Sequence, residues 1–185
     1  MPNNFNFPFV LSVVGGLAAT SVVASLYVWP PLRSLPRVDA LRILASLQAF
    51  RFFGLNFIVV GFVASGLNST VANQIAWGDF IAAALALLSV AAFTWRWPFA
   101  MLMEWIANLW GITDLLNAYY KGATQVGDVG LFAAGIYVPA LFVPILLIAH
   151  VLAFRLLLKP SEVKVDSGNS RTAKDLPHTF ATRPQ

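Results

Sequence analysis

Long apolar runs, separated by short polar stretches, recur along this chain and decide what it can fold into. Hydrophobic residues make up 58% of its 185 residues and charged residues only 11%, whereas a soluble domain carries about a quarter charged residues. About 20 consecutive apolar residues suffice to cross the hydrocarbon core of a bilayer. The sequence therefore predicts an all-α integral membrane protein, with lipid as the solvent of its outer surface.

The apolar runs predict one domain over residues 1–159, built as a bundle of five transmembrane helices. The helices are expected at about residues 7–29, 40–64, 79–95, 99–120 and 131–157. Pro30 and Pro31 are expected to end the first helix, because proline cannot continue a helix from inside. The third is expected to be short and Ala-rich and to begin at Asp79. Residues 160–185 are too polar to form a core, so a disordered cytoplasmic tail is expected there.

The first run could instead be a cleaved signal peptide, since Val22-Val23-Ala24 would suit a peptidase. However, no Lys or Arg precedes the run, and the run is long for the apolar core of a signal. A retained helix is therefore favoured. Gly16, Thr20 and Ala24 recur at every fourth position, which predicts a small-residue face for close packing within the monomer in preference to a dimer.

The basic residues give a test of the helix count that does not use hydropathy. Five crossings place on one side of the membrane Arg33, Arg37, Arg42, Arg96, Arg155, Lys159, Lys164, Arg171, Lys174 and Arg183. Only Lys121 falls on the other side, and Arg51 lies within the membrane. The positive-inside rule then predicts an outside N-terminus and a cytoplasmic C-terminus. The basic residues behind the formal charge of +4 lie at the predicted helix ends. This position indicates that the partner of the chain is a lipid bilayer and not nucleic acid.

A group of polar residues at membrane depth provides the candidate functional site. It consists of Arg51, Asp79, Glu104, Asn108, Asp114 and His150. Helix geometry places Arg51 and Glu104 at similar depths, which predicts a pair between them, and Asp114 lies within reach of the long Arg51 side chain. Asp79 is expected to act as an N-cap or first-turn acid. His150 is expected to hydrogen-bond Glu104 or a backbone carbonyl.

Two interpretations of these residues remain open. An acid at bilayer depth costs about 2.5–3.5 kcal/mol on insertion scales, so it usually faces a partner or a wet cavity. The charges could form an ionic lock that only fixes helix packing. Alternatively, Gln48, Arg51 and Gly54 on one helix and Glu104, Asn108 and Gly111 on another could line a polar cavity.

Several kinds of chemistry are not expected from this composition. The chain has no cysteine, which excludes disulfides, zinc–thiolate sites and iron–sulfur clusters. His150 is the only histidine at membrane depth, so bis-histidine haem ligation within one monomer is excluded, and a single axial ligand is a minor alternative. Lys121 lies at the interface, so no buried lysine is available for a retinal Schiff base. No phosphate loop, HExxH or GxSxG motif occurs, and neither a cofactor nor a metal is expected.

Four blocks of the sequence resemble a group of small bacterial multi-pass membrane proteins. They are QAFRFFGLNFIVVG (residues 48–61), WGDFIAAALALL (77–88), NLWGITDLLNAYYKG (108–122) and VPILLIAHVLAFRLLLK (143–159). The resemblance covers about residues 38–159 and leaves out the first helix and the tail. It implies a bacterial cytoplasmic membrane and this topology, but no activity. Every candidate site residue lies inside these blocks except Glu104, which lies just outside.

The sequence leaves two main functional hypotheses. In the first, the polar group binds or transports a small or lipidic ligand, or passes protons. In the second, the chain is a non-catalytic accessory subunit of a larger membrane complex, or a homo-oligomer, and its charges are only structural. An enzyme acting on lipid is a third and less favoured possibility. A cavity of a few hundred Å³ that reaches Asp114 from one side would favour binding or transport, whereas a dry, filled bundle with a flat apolar flank would favour the accessory subunit.

Overall fold

The computed structural model describes residues 7–159, and within them the fold is all-helical, as predicted. Five long helices follow one another: α1 (Phe7–Ser34), α2 (Arg37–Ile58), α3 (Ser69–Thr94), α4 (Ala100–Gln125) and α5 (Val138–Leu157). A short 3-10 helix, Val129–Ile136, precedes α5. The predicted disordered tail lies outside the described residues.

Four of these helices, α1, α2, α3 and α5, are long and apolar enough to cross a membrane. The prediction of a membrane protein is therefore supported at this coarser level. Helix α4 has the same length as α3, 26 residues, but it carries Glu104, Asp114 and Lys121 and is not among the four.

Helix α1 continues past the prolines that were expected to end it. A π-helical turn at Ala24–Val28 interrupts the regular hydrogen-bond pattern, and a new α-helical segment, Trp29–Ser34, begins directly after it. Pro30 and Pro31 therefore occupy the first turn of a helical segment, where an N–H group is not needed for an intrahelical bond. The prediction of a helix end at Pro30 is wrong for this reason.

Helix α3 begins at Ser69, well before the predicted start at Asp79. The Asn68 side chain accepts a hydrogen bond from the Thr70 N–H at 2.8 Å and caps the helix. The first turns are amphipathic, with Ile75 buried and Asn73 exposed. Asp79 consequently lies in the helix interior, and the predicted capping role for it is wrong.

Helix α2 changes from an α-helix to a 3-10 helix at Ala49 and ends at Ile58, before the predicted end near residue 64. A 3-10 helix has three residues per turn, so side chains three apart align in one row. That row is Gln48, Arg51, Gly54 and Phe57, all of which are buried. The change in helix type thus directs Arg51 into the bundle together with the residues predicted to share its face.

Contacts between helix ends show how the chain alternates through the bundle. Arg37 Nη2 donates to the Leu157 carbonyl at 2.5 Å, and the Arg155 guanidinium lies 5.5 Å from the centre of the Trp29 ring. The end of α1, the start of α2 and the end of α5 therefore meet at one end of the molecule. An apolar cluster there also includes Phe93 at the end of α3 and Ala100 at the start of α4.

A second apolar cluster fills the opposite end. It joins the ends of α2 and α4 to the starts of α3 and α5 and includes Phe57, Val71, Leu115, Phe132 and Val138. The two clusters lie on either side of a middle layer that contains the polar residues.

Helix α1 packs on the outside of the other four. No residue of Phe7–Val23 is buried, but Gly16 lies so close to α5 that a Cβ there would come within 2.6 Å of the Ala140 carbonyl oxygen. Ala24 is buried in the first apolar cluster. The small-residue face thus packs within the monomer at these two positions, as predicted.

Candidate functional site

Arg51 is the centre of the polar layer, and its residue is only 1% exposed. Its Nε and Nη2 both donate to Asp79 Oδ1, at 2.8 and 2.6 Å, and Nη2 also donates to Asp114 Oδ2 at 2.6 Å. Nη1 donates to the Gly111 carbonyl at 2.9 Å. One guanidinium therefore joins α2, α3 and α4 through charge-assisted hydrogen bonds. We call Arg51, Asp79 and Asp114 the charged cluster.

Three glycines on neighbouring helices make room for the polar side chains. A Cβ on Gly54 would collide with the Asp79 carboxylate, and one on Gly78 would collide with the Asp114 carboxylate. A Cβ on Gly111 would collide with the His150 ring and approach Arg51 Nη1 to 3.0 Å. Because glycine has no side chain, it lets these groups lie directly against the opposing backbone.

The prediction that Arg51 pairs with Glu104 is wrong. Glu104 instead accepts a hydrogen bond from Ser89 Oγ on α3 at 2.5 Å, and it has no basic partner among residues 7–159. Asp79 takes the place that Glu104 was expected to fill, because the longer α3 carries Asp79 into the middle of the bundle. The contact predicted between Arg51 and Asp114 is present.

His150 pairs with Asn108 and not with Glu104 or a carbonyl, so that prediction is also wrong. His150 Nδ1 lies 2.6 Å from Asn108 Oδ1, and Asn108 Nδ2 donates to the His150 carbonyl at 3.4 Å. Both residues are buried. The reciprocal contact fixes α4 to α5, as the charged cluster fixes α2, α3 and α4.

A small polar space separates these groups. It measures about 10 Å³, close to the size of one water molecule, and is bordered by Gln48, Arg51, Glu104, Asn108 and His150. Gln48 Nε2 donates to the Leu146 carbonyl at 3.2 Å. Gln48 Oε1 and His150 Nε2 accept no hydrogen bond from the described residues. The predicted polar faces of α2 and α4 therefore meet in the interior, where both border this space.

A much larger cavity, of about 430 Å³, lies beside the charged cluster on the side away from Glu104. It is bordered by the start of α1, by α3 and α4, by the connection after α4 and by the start of α5. Its walls are mostly apolar and include Phe9, Val10, Phe57, Ile75, Leu115, Ala118, Val126, Phe132, Val138 and Val143. Asp79 is the charged residue among its walls, whereas Asp114, which a binding cavity was expected to reach, does not border it. We call this space the lateral cavity.

The other polar side chains of the lateral cavity are already engaged. The Tyr119 hydroxyl donates to the Pro139 carbonyl at 2.7 Å, and the Thr124 hydroxyl donates to the Tyr120 carbonyl at 2.7 Å. The cavity therefore has an apolar body with one acidic group at its inner end. This is the usual composition of a small-molecule site, in which few polar groups orient a mostly apolar ligand.

The structure brings all six candidate residues into the same layer, but in two arrangements. Arg51, Asp79 and Asp114 form the charged cluster, while Glu104, Asn108 and His150 surround the small polar space. Within residues 7–159, no group of three or more His, Asp or Glu side chains is placed to hold a metal ion.

Two uncharged residues that shape the site, Gly78 and Ser89, were not predicted from the sequence. Gly78, which makes room for Asp114, lies just before the predicted third helix, and Ser89, which donates to Glu104, lies within its Ala-rich run. The available signal was the spacing: Gly78 adjoins Asp79, and Ser89 is a polar residue in an otherwise apolar stretch. The apolar residues that line the lateral cavity cannot be distinguished from ordinary core residues by sequence alone.

A comparison with curated proteins finds no match to this chain, and neither does a comparison with solved structures. A family model described as "Domain of unknown function (DUF8737)" matches residues 8–158. This match includes α1, which lies outside the resemblance noted from the sequence. Because the match covers most of the chain, the protein belongs to the DUF8737 family.

Proposed function

We propose that this chain is a multi-pass protein of a bacterial cytoplasmic membrane that binds a small or lipidic ligand in the lateral cavity. The observation that carries the proposal is the cavity itself: about 430 Å³ of mostly apolar space that ends at the Arg51–Asp79 ion pair. Ligand sites in proteins typically measure about 300–1,000 Å³. An accessory subunit with purely structural charges would need no such space next to them.

The proposal includes five crossings, with α4 as the fifth. Its 26 residues correspond to about 39 Å of helix, against a hydrocarbon core of about 30 Å. It joins the first apolar cluster, through Ala100, to the second, through Leu115. Its acids at depth have partners inside the bundle, Arg51 for Asp114 and Ser89 for Glu104. A helix with its polar groups satisfied in this way is compatible with a membrane position.

The orientation proposed has the N-terminus outside and the C-terminus in the cytoplasm. It is supported by the distribution of basic residues at the ends of the five helices. One end carries Arg33, Arg37, Arg42, Arg96, Arg155 and Lys159, while Lys121 lies near the other. The positive-inside rule then places the first end in the cytoplasm and the lateral cavity in the outer half of the membrane.

Ligand binding has more support than passage of protons through the same layer. Arg51 carries a permanent positive charge and lies within hydrogen-bond distance of both acids of the charged cluster. A fixed arginine charge in a narrow path acts as an electrostatic barrier to protons and other cations. The cluster is therefore better suited to close one end of a binding cavity than to conduct.

The test is to purify the chain in native lipid and to identify co-purified molecules by mass measurement, for the unchanged sequence and two variants. Ala118→Phe fills the lateral cavity, since Ala118 lines it. Ala19→Phe makes the same change at an exposed position of α1 and serves as the control.

We expect a molecule that accompanies the unchanged chain and Ala19→Phe but is lost from Ala118→Phe. A chain that carries no specific molecule and instead co-purifies with a stoichiometric membrane protein would overturn the proposal in favour of the accessory subunit.

A further inference from the structure

We infer that the ligand of the lateral cavity carries a single cationic head group, such as a protonated amine, on an apolar body. This inference rests on the proposed function and specifies the chemistry of the same site. It follows from the arrangement of Asp79, which is only 7% exposed and borders a cavity that is otherwise apolar.

The hydrogen bonds leave one oxygen of Asp79 available. Both donors that Arg51 offers to Asp79 go to Oδ1, from Nε and from Nη2. Oδ2 lies on the side of Gly54, and no donor among residues 7–159 bonds to it. An ionised carboxylate has acceptor sites on both oxygens, so Oδ2 can accept a further hydrogen bond. A ligand with N–H donors would satisfy this oxygen.

The charge of the cluster points to the sign of the head group. Two carboxylates and one guanidinium, in their ionised forms, leave one negative charge in the middle of the bundle. Asp114 shares Arg51 Nη2 with Asp79, so neither acid has a hydrogen-bonded cation to itself. Charges at this depth are stabilised mainly by pairing. A cationic head beside Asp79 would bring the layer to neutrality, whereas an anionic head would add a second uncompensated charge.

The walls determine the rest of the ligand. Within the described part of the chain, Asp79 is the only charged residue that borders the cavity, and the hydroxyl groups of Tyr119 and Thr124 donate to backbone carbonyls. The remaining walls offer aliphatic and aromatic side chains. The matching molecule is therefore apolar over most of its length and has its charge at one end.

The experiment compares three probes of equal chain length: dodecylamine, dodecanol and dodecanoate. Each is isotope-labelled and measured for binding to the purified chain in nanodiscs of zwitterionic phosphatidylcholine, with empty nanodiscs subtracted. We expect the amine to bind about ten- to a hundredfold more tightly than the alcohol, the range given by a charged hydrogen bond. The carboxylate should bind most weakly of the three.

Two variants assign this preference to Asp79. Asp79→Asn keeps the shape of the side chain and leaves Arg51 its contacts with Asp114 and Gly111. It should reduce the preference for amine over alcohol to about twofold or less. The control Asp128→Asn removes an acid in the connection after α4, where an Asn side chain can still accept from the Gly130 N–H. It should keep the full preference.

The outcomes separate this inference from the proposed function. If all three probes bind equally and Ala118→Phe abolishes their binding, the cavity binds ligands but the cationic head group is wrong. Tighter binding of dodecanoate than of dodecylamine would also overturn the inference of a cationic head group. If no probe binds above empty nanodiscs, both the inference and the proposed function fail. If Asp79→Asn yields no folded protein, the ranking of the three probes on the unchanged chain decides.

Discussion

The Arg51 guanidinium connects three helices in the interior of the bundle, through Asp79, Gly111 and Asp114. Replacing Arg51 by leucine would leave Asp79 and Asp114 buried without a cation. Breaking a buried pair by removing one partner costs about 3–5 kcal/mol in soluble proteins. We therefore expect Arg51→Leu to lower the thermal unfolding midpoint strongly, as followed by tryptophan fluorescence in a mild detergent.

A matched control is available on the same helix. Arg42 pairs with Asp39 at 2.9 Å, but both side chains are about two-fifths exposed. A pair of this kind contributes about 0–1 kcal/mol, so Arg42→Leu should shift the midpoint little. Replacing Asp79 and Asp114 by leucine together with Arg51 should restore part of the loss, since no charge is then left unpaired. Equal shifts for Arg51→Leu and Arg42→Leu would contradict this account.

The sequence identifies which charged residues lie at depth, but it does not determine how they pair. Arg51 was correctly placed inside the bundle, and its contact with Asp114 was predicted. Asp79 was not predicted as the partner, because the first turns of α3 are polar and were interpreted as a turn. Since α3 begins at Ser69 and not at Asp79, Asp79 lies deeper in the bundle than expected. Pairing depends on helix starts and axial shifts, and hydropathy does not locate either to within a turn.

At the scale of the helix, the composition predicts where each helix lies in the sequence better than it predicts the ends of the helix and its type. All five helices occur where apolar runs predicted them, although the bounds of all five differ. In particular, α4 continues to Gln125, and α5 begins at Val138 because the predicted first turns near residue 131 form the 3-10 helix Val129–Ile136. The 3-10 segment Ala49–Ile58 was not foreseen, because QAFRFFG has no local feature that excludes a regular α-helix. The choice follows from packing: three-residue spacing aligns Arg51 and Gly54 toward α3, where Asp79 lies against Gly54.

Helix α1 gives a prediction about one element. Its first segment, Phe7–Val23, is held to α5 at Gly16 and has no buried residue, so the docking of this segment should be separable from the folding of the other helices. Gly16→Val would force branched carbons against the Ala140 carbonyl, whereas a Cβ at Gly15 meets nothing within 4 Å. Gly15→Val is therefore the control.

The measurement uses a single cysteine introduced at Val10, a wall residue of the lateral cavity, since the chain has none of its own. We expect Gly16→Val to raise the rate of thiol labelling at this position and to leave the unfolding midpoint of the remaining bundle nearly unchanged. Gly15→Val should change neither. A large fall in the midpoint with Gly16→Val would contradict this prediction, because the folding of the bundle would then depend on the docking of Phe7–Val23.

At the scale of the whole molecule, burial and charge divide the chain into three layers. An apolar cluster with basic residues fills one end, the polar layer around Arg51 lies in the middle, and a second apolar cluster with the lateral cavity fills the other end. The sequence predicted the charge asymmetry, because helix ends follow from hydropathy. It could not predict the cavity, because empty space depends on how five helix surfaces fit together.

The topology prediction follows from these layers and depends most on α4, the helix with the most charged residues at depth. Thr94 precedes α4 and Gly127 follows it, and both are exposed. In a chain without other thiols, single cysteines at these two positions can be labelled separately with a membrane-impermeant reagent. If α4 crosses, intact cells should allow labelling at Gly127 and only permeabilised cells at Thr94.

Ser34 and Val60, on either side of α2, give the same comparison for a helix whose hydropathy already fits a crossing. Labelling of Thr94 and Gly127 from one side would leave four crossings, and the charged cluster would then lie at a membrane surface with water as its solvent.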